Sequence, residues 1–202
     1  MEIILGVFAG IGLAAAAGFR IFIPFLITSI AAQTGVIELS TNFSWIGSLP
    51  ALIAFSFATV IELIAYYIPW LDNLLDTIEH PLAIFAGIIL TGSVITDFSP
   101  FLKWIFAIIA GGSVAGTIQA ATGFARFKSS ALTGGTGNPV VSSVEAGSSI
   151  GLSLMAVFVP VVAILIVILI IGWAVTLFYK KFIKKSDAEN NLMLYAPELG
   201  ST

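Results

Sequence analysis

Cysteine is absent from the 202 residues, which excludes a disulfide framework, a thiolate nucleophile and any Cys-ligated metal. His80 is the only histidine, so neither a His-rich metal site nor a bis-His haem can form within one chain. No cofactor and no metal is expected. Charged residues make up 9% of the chain, against about 25% in a soluble domain, too few to cover a water-facing surface. The 8 Lys and Arg do not provide the basic, aromatic-studded face that nucleic acid requires. His-Glu-x-x-His, Gly-x-Ser-x-Gly and Gly-x-Gly-Asp are all missing, so no enzyme is expected.

What the chain has is apolar length. Hydrophobic residues reach 58% and mean hydropathy is +1.09, so the solvent for most of it must be lipid. The N-terminus has no basic stretch, and its apolar run continues past Ala32. That reads as a retained first span rather than a cleaved signal peptide. Further apolar windows cover residues 49–68, 82–96, 101–127, 140–159 and 161–182, each near the roughly 20 residues that a helical crossing needs. The expected fold is an all-α polytopic transmembrane bundle, a single transmembrane domain over 1–185 with a polar tail over 186–202. Pro160 leaves the count open. It marks a hairpin in a six-span chain, or kinks a longer helix in a five-span chain whose 140–159 segment is partly outside lipid or re-entrant. Trp173 and Tyr179 followed by Lys180, Lys181, Lys184 and Lys185 place the C-terminus in the cytoplasm. Six spans also put the N-terminus, Arg126 and Lys128 inside, and the charge pattern favours that count.

Two patterns add detail. Leu71, Leu74, Leu75 and Ile78 recur at helical spacing opposite Asp72, Asp76 and Glu79, which predicts a short amphipathic helix in the interface. Ala16-Ala17-Gly18-Phe19-Arg20-Ile21-Phe22 is echoed by Ala121-Thr122-Gly123-Phe124-Ala125-Arg126-Phe127. With three spans between the copies, the halves would form a 3+3 inverted repeat of the kind transporters use.

The polar residues inside the apolar windows carry any chemistry. Arg20 lies near the middle of the first window, where a charge costs at least about 2.5–3.5 kcal/mol and needs a partner. Gly12, Ala16 and Pro24 share its helix face as a lane for close helix approach. Glu62, and Glu145 with Ser142, Ser148, Ser149 and Ser153 around it, are candidate proton- or cation-coupling groups. Their structural alternative is to neutralise Arg20. The loop Thr133-Gly134-Gly135-Thr136-Gly137-Asn138-Pro139 lets backbone N–H groups converge at a helix start that Asn138 can cap. With Arg126 and Lys128 just upstream, it is a candidate anion site, although a capped tight turn explains it equally. It is not a P-loop, because no Gly-Lys-Ser/Thr follows. Gly112, Gly116 and Ala120, beside Gly111, Ala115, Gln119 and Gly123, are small-residue rows that mark tight packing. Asp97 and Lys103 read as solvated turn charges, and His80 sits at the membrane edge.

Gly18-Phe19-Arg20, Pro69-Trp70-Leu71-Asp72-Asn73-Leu74-Leu75-Asp76 and Gly134-Gly135-Thr136-Gly137-Asn138-Pro139-Val140-Val141-Ser142-Ser143-Val144-Glu145 together resemble an uncharacterised bacterial multi-pass membrane family, domain of unknown function 4126. The likeness covers roughly residues 1–182. Where that family's pattern often has an acid after the Glu, this chain has Ala146, and where it has charges before Pro-x-x-Asp, this chain has Tyr66 and Tyr67. The resemblance implies a multi-pass protein of the bacterial inner membrane and supplies no reaction. The intramembrane charges, the Gly-rich break and the echo lead us to expect a small transporter or flippase-like carrier. Its substrate is a small anionic solute or a lipid headgroup. Arg20, Arg126, Gly134, Gly135, Gly137 and Asn138 bind the anion, and Glu145 and Glu62 couple it to protons. The alternative is a non-catalytic accessory or scaffolding subunit, whose small-residue lanes dock a partner membrane subunit or a second copy.

Overall fold

The computed structural model describes residues 2–65 and 68–195, and among them every regular element is a helix. Residues Met1–Val167 form one compact unit, and Ile168–Thr202 a second that holds the later turns of the last helix. The helices are α1 (Glu2–Ala17), α2 (Phe22–Gln33), a 3-10 helix (Thr41–Gly47), α3 (Leu49–Ala65), α4 (Pro69–Val94), α5 (Pro100–Phe106), a π-helical segment (Ala107–Gly112), α6 (Ser113–Thr133), α7 (Asn138–Phe158) and α8 (Pro160–Tyr195). Thr77–Val94, Pro100–Thr133 and Asn138–Phe158 are long and apolar enough to cross a membrane. A fourth candidate is the 3-10 helix together with α3, bent by 62°. Ile3–Ala17, Phe22–Gln33 and Pro160–Thr176 are shorter apolar helices.

The first apolar run is not one helix. α1 stops at Ala17 and α2 starts at Phe22. Gly18 weakens the helix, and the Pro24 ring would clash with the carbonyl of residue 20, four positions back, in a continuous one. At the other doubtful point the helix does end. Val159 leaves the helical region (φ −140°, ψ 64°), as the residue before a proline is pushed to do, and α8 starts at Pro160. A Cβ on Gly12 would lie 2.8 Å from the Ala156 methyl and 3.1 Å from the Ala163 methyl. A straight helix would hold those two residues about 10 Å apart, so the chain turns sharply at Val159. The 70–79 segment is part of the long helix α4, which runs on through Pro81. The side chains of residues 69–74 and 76, on which its two-faced pattern rests, lie outside the described residues, as do Tyr66 and Tyr67. Glu79, expected on the polar face of that segment, is buried.

Two helices of the unit turn apolar side chains outward and polar ones inward. Ile53, Phe57, Ile61 and Ile64 of α3, and Val140, Val144, Ile150 and Leu154 of α7, are exposed, while Glu62, Ser142, Glu145, Ser149 and Ser153 of the same helices are buried. Only a lipid solvent makes that arrangement favourable.

Small residues set the helix directions. α1 is central, with Leu13 to Ala17 fully buried. A Cβ on Gly6 would meet the Val94 carbonyl at 2.9 Å and one on Gly10 would meet Thr91, while Thr91 Oγ1 donates to the Gly10 carbonyl at 3.0 Å. α1 is therefore antiparallel to α4. Gly123 lies under His80, Gly116 against Ile84 and Gly112 against Ile88, so α6 is antiparallel to α4 as well. The first copy of the echo thus ends α1 and the second lies within α6, helices that run the same way, so the expected inversion is not the relation between them. α2 runs back along α3: the Glu62 carboxylate accepts from its first residues, and Gln33 Nε2 donates to the Ser48 carbonyl at its far end. Just beyond, Ser40 N donates to the Ser93 carbonyl at 2.7 Å, next to the Val94 that meets Gly6. The chain enters with α1 and returns with α2 to the same end of α4.

These close approaches predict a contrast between two glycines of helices α4 and α7. A Cβ on Gly87 would sit 2.5 Å from that of Ala115 and 2.6 Å from the Gly111 carbonyl, whereas Gly147 has nothing within 4 Å. Gly87→Ala should lower stability by about 1–3 kcal/mol, and Gly147→Ala should raise it slightly through helix propensity. Thermal unfolding in detergent distinguishes the two, and equal behaviour would contradict the packing described.

Candidate functional site

The α1–α2 break leaves backbone groups that lipid cannot satisfy, and buried polar side chains meet them. Ser149 Oγ on α7 donates to the Ala16 carbonyl at 3.0 Å and lies 3.4 Å from that of Arg20. On the other side, Ile21 N donates to Glu62 Oε1 at 2.8 Å and Phe22 N to Oε2 at 3.3 Å. A carboxylate thus lies across the start of α2, where the helix dipole favours negative charge. Pro24, in that first turn, brings no further N–H to satisfy.

Arg20 itself is 1% exposed. Its Nη2 lies 3.0 Å from Glu145 Oε2 and donates to the Ser142 carbonyl at 3.3 Å. Arg126 from α6 reaches the same carboxylate: Nε donates to Glu145 Oε1 at 3.0 Å, and Nη2 pairs with Oε2. Two arginines from distant segments therefore meet on one glutamate, and both act electrostatically on Glu62 as well. All four side chains are buried. Helical periodicity delivers the α7 contribution, because Asn138, Ser142, Glu145, Ser149 and Ser153 fall on one face and all are buried. Among the described residues, the hydroxyls of Thr28, Ser29, Thr59, Ser142 and Ser153 are buried without a hydrogen-bond partner.

The sequence-predicted residues divide into two groups. Arg20, Arg126, Glu62 and Glu145 come together as a cluster. Gly134, Gly135 and Gly137 do not join them but form the α6–α7 turn, with Gly134 and Gly135 in the left-handed region (φ 62° and 90°). The amides there are used locally: Gly137 N donates to Thr133 Oγ1 at 2.9 Å, and Asn138 N to the Gly135 carbonyl at 3.1 Å. Asn138 makes no cap, since the α7 N-cap is Gly137 with no side-chain bond; its Nδ2 instead donates to Ser130 Oγ at 3.0 Å. The role of Ile21 and Phe22 as donors is invisible in a sequence reading that has α1 and α2 as one helix, although Gly18 and Pro24 bracketing Arg20 are its signal. Lys103, expected in solvent, is buried and its Nζ donates to Ser40 Oγ.

A sequence profile described as Domain of unknown function (DUF4126) matches residues 7–180. The chain belongs to that family, and its apolar helices are those of a membrane protein. No curated protein and no solved structure matches it.

The shared carboxylate predicts an asymmetry in stability. Glu145→Ala leaves two buried guanidinium groups facing each other and should cost about 3–5 kcal/mol, the range for a broken buried pair. Ser143→Ala, on the exposed side of α7, should cost less than about 0.5 kcal/mol. Melting of the purified variants in one detergent measures both.

Proposed function

We propose that the protein is a small carrier for an anionic solute, coupled to protons, in the cytoplasmic membrane. The observation that carries this reading is the meeting of Arg20 and Arg126 on Glu145 at the break between α1 and α2. Charges at such depth are costly, and in membrane proteins they mark solute and proton pathways. A broken helix that presents a helix start to anionic groups is the arrangement carriers use. Arg20 and Arg126 supply attraction for the anion, and Glu145 and Glu62 are the groups that exchange protons. The glycine loop, with its amides engaged in the turn, contributes less than the cluster does.

The topology belongs to the same proposal. α1 runs inward from the Val94 end of α4, and α2 returns to it, so the pair is a re-entrant hairpin. Its tip, residues 18–21, lies about 18 Å beyond Gly6 at the helical rise. Counting along the chain, α3, α4, the Pro100–Thr133 helix, α7 and α8 then make five crossings instead of six. That count puts Arg126, Lys128 and the lysines after Tyr179 on one side, which the charge rule makes the cytoplasm. The N-terminus falls on the opposite side.

Both parts are testable. In proteoliposomes with an inward proton gradient, at least one of radiolabelled acetate, lactate and phosphate should accumulate, and Arg20→Ala and Glu145→Gln should reduce that uptake at least about tenfold, the scale of one lost charge-assisted contact. Uptake that survives both substitutions would overturn the carrier reading. Absence of uptake for every anion, with a stoichiometric partner retained in mild detergent, would favour an accessory subunit. For topology, the absence of native cysteine allows clean labelling of single-cysteine variants in intact cells. Ile3→Cys and Asp97→Cys should react with an impermeant maleimide, and Thr136→Cys only after permeabilisation. An Ile3→Cys protected until permeabilisation would restore six crossings.

A further inference from the structure

We infer that the start of α2 is a carboxylate-binding seat, that Glu62 occupies it as a tethered stand-in, and that a small free carboxylate takes its place when Glu62 is protonated. This rests on the carrier reading for its use in transport, but the seat stands on its own geometry.

Glu62 does not bind the helix start through one oxygen. Oε1 accepts from Ile21 N at 2.8 Å and Oε2 from Phe22 N at 3.3 Å, so both oxygens of the planar group are matched to successive amides. The same two donors would accept the carboxylate of a solute unchanged, because the interaction is with the functional group and not with the glutamate stem. Arg20, the residue immediately before Ile21, adds a positive charge that acts on this carboxylate. The occupant is covalently part of α3, which packs along α2, so it can leave the seat only by a change of rotamer or a movement of α3.

A second observation points to a guest. The hydroxyls of Ser142 and Thr59 are buried, and neither has a hydrogen-bond partner. Ser142 is 4% exposed and lies on the α7 face that meets the break, its own carbonyl accepting from Arg20. Thr59, 7% exposed, precedes Glu62 by one turn on the buried face of α3. A buried hydroxyl without a partner costs roughly 1–3 kcal/mol, and the one on Thr59, on the same buried face as Glu62, is what a second set of ligand oxygens would use. Ile21 and Glu62 are each 4% exposed, so the seat is closed to solvent, and the fitting probes are the smallest carboxylates, formate and acetate.

The charge balance gives the coupling. A proton on Glu62 removes its charge and turns one of its two acceptor oxygens into a donor, so at most one of the two N–H groups keeps a strong acceptor and the hold of the side chain on the helix start weakens. A carboxylate that then enters restores the charge the proton removed, so one proton and one monoanion move as a neutral pair. No bond is made or broken other than to the proton.

Chemical rescue tests the seat apart from transport. The purified full-length protein and Glu62→Ala are melted in detergent with sodium formate, acetate or chloride at equal ionic strength. Glu62→Ala should melt below the wild type in chloride and recover at least half of that loss in formate or acetate, while the wild type, with its seat filled, should respond no more to carboxylate than to chloride. Equal melting of Glu62→Ala in all three salts overturns the seat. If Glu62→Ala does not fold, Glu62→Gln replaces it: its amide can satisfy only one of the two N–H groups, so carboxylate should stabilise it beyond chloride, and no difference overturns the seat. Arg20-dependent uptake without rescue removes the seat and keeps the carrier; rescue without uptake of any anion keeps the seat and removes the carrier.

Discussion

Everything in this fold answers to the interruption of a buried helix at residues 18–21. A helix that stops within lipid exposes carbonyls at one end and amides at the other, and water is not there to receive them. The chain supplies substitutes from two helices. Ser149 of α7 serves the carbonyl end, Glu62 of α3 serves the amide end, and Arg20, set free by the break, turns to Glu145 and the Ser142 carbonyl. Each substitute brings a charge or hydroxyl that itself has to be accommodated. That is how one broken helix gathers a buried polar cluster in a chain with so few charged residues.

The cluster can exist only because the surrounding helices are unusually close. Gly6, Gly10, Gly12 and Gly18 let α1 approach α4, α7 and α6, so that a Cβ on Gly18 would lie 2.6 Å from the Ala115 carbonyl. Without an external hydrophobic drive between helices in lipid, such approach and the polar contacts it permits are what hold the bundle. The π-helical segment Ala107–Gly112 belongs to the same device, since it sets Gly111 against Gly87 and Thr91 of α4. Wide π turns of this kind commonly occur where a helix is adapted to function.

Much of this was legible in the sequence, and the failures have identifiable causes. The all-helical membrane class followed from hydropathy alone, and the cluster's members stood out because an Arg or Glu inside an apolar window must find company. What periodicity could not supply was direction. An apolar run from residue 3 to residue 32 reads identically whether it crosses once or folds back, because lipid-facing and protein-facing turns are both apolar here. Gly18 and Pro24 marked the fold, but each alone is tolerated in membrane helices. The glycine loop misled for the opposite reason: its composition is that of an anion nest, yet positive-φ glycines and the local Thr133 and Gly135 acceptors for residues 136–138 close it as a turn. Lys103 reads as a solvated charge because turn position, not burial, is all that the sequence displays there.

The break and the two arginines also make α7 the element through which the parts communicate. One face of this helix holds the end of α1 through Ser149, the tip residue Arg20 through Ser142 and Glu145, and α6 through Arg126. A change of charge on Glu145 would therefore loosen its contacts to both arginines together, and a bound anion near Arg20 would compete with Glu145 for the same guanidinium. Glu62 stands on α3, outside that face, and holds α2 alone. The two carboxylates thus restrain different arms of the break: Glu145 ties its tip to α7 and α6, and Glu62 ties α2 to α3. Removing the charge of one and not the other would free one arm of the break at a time.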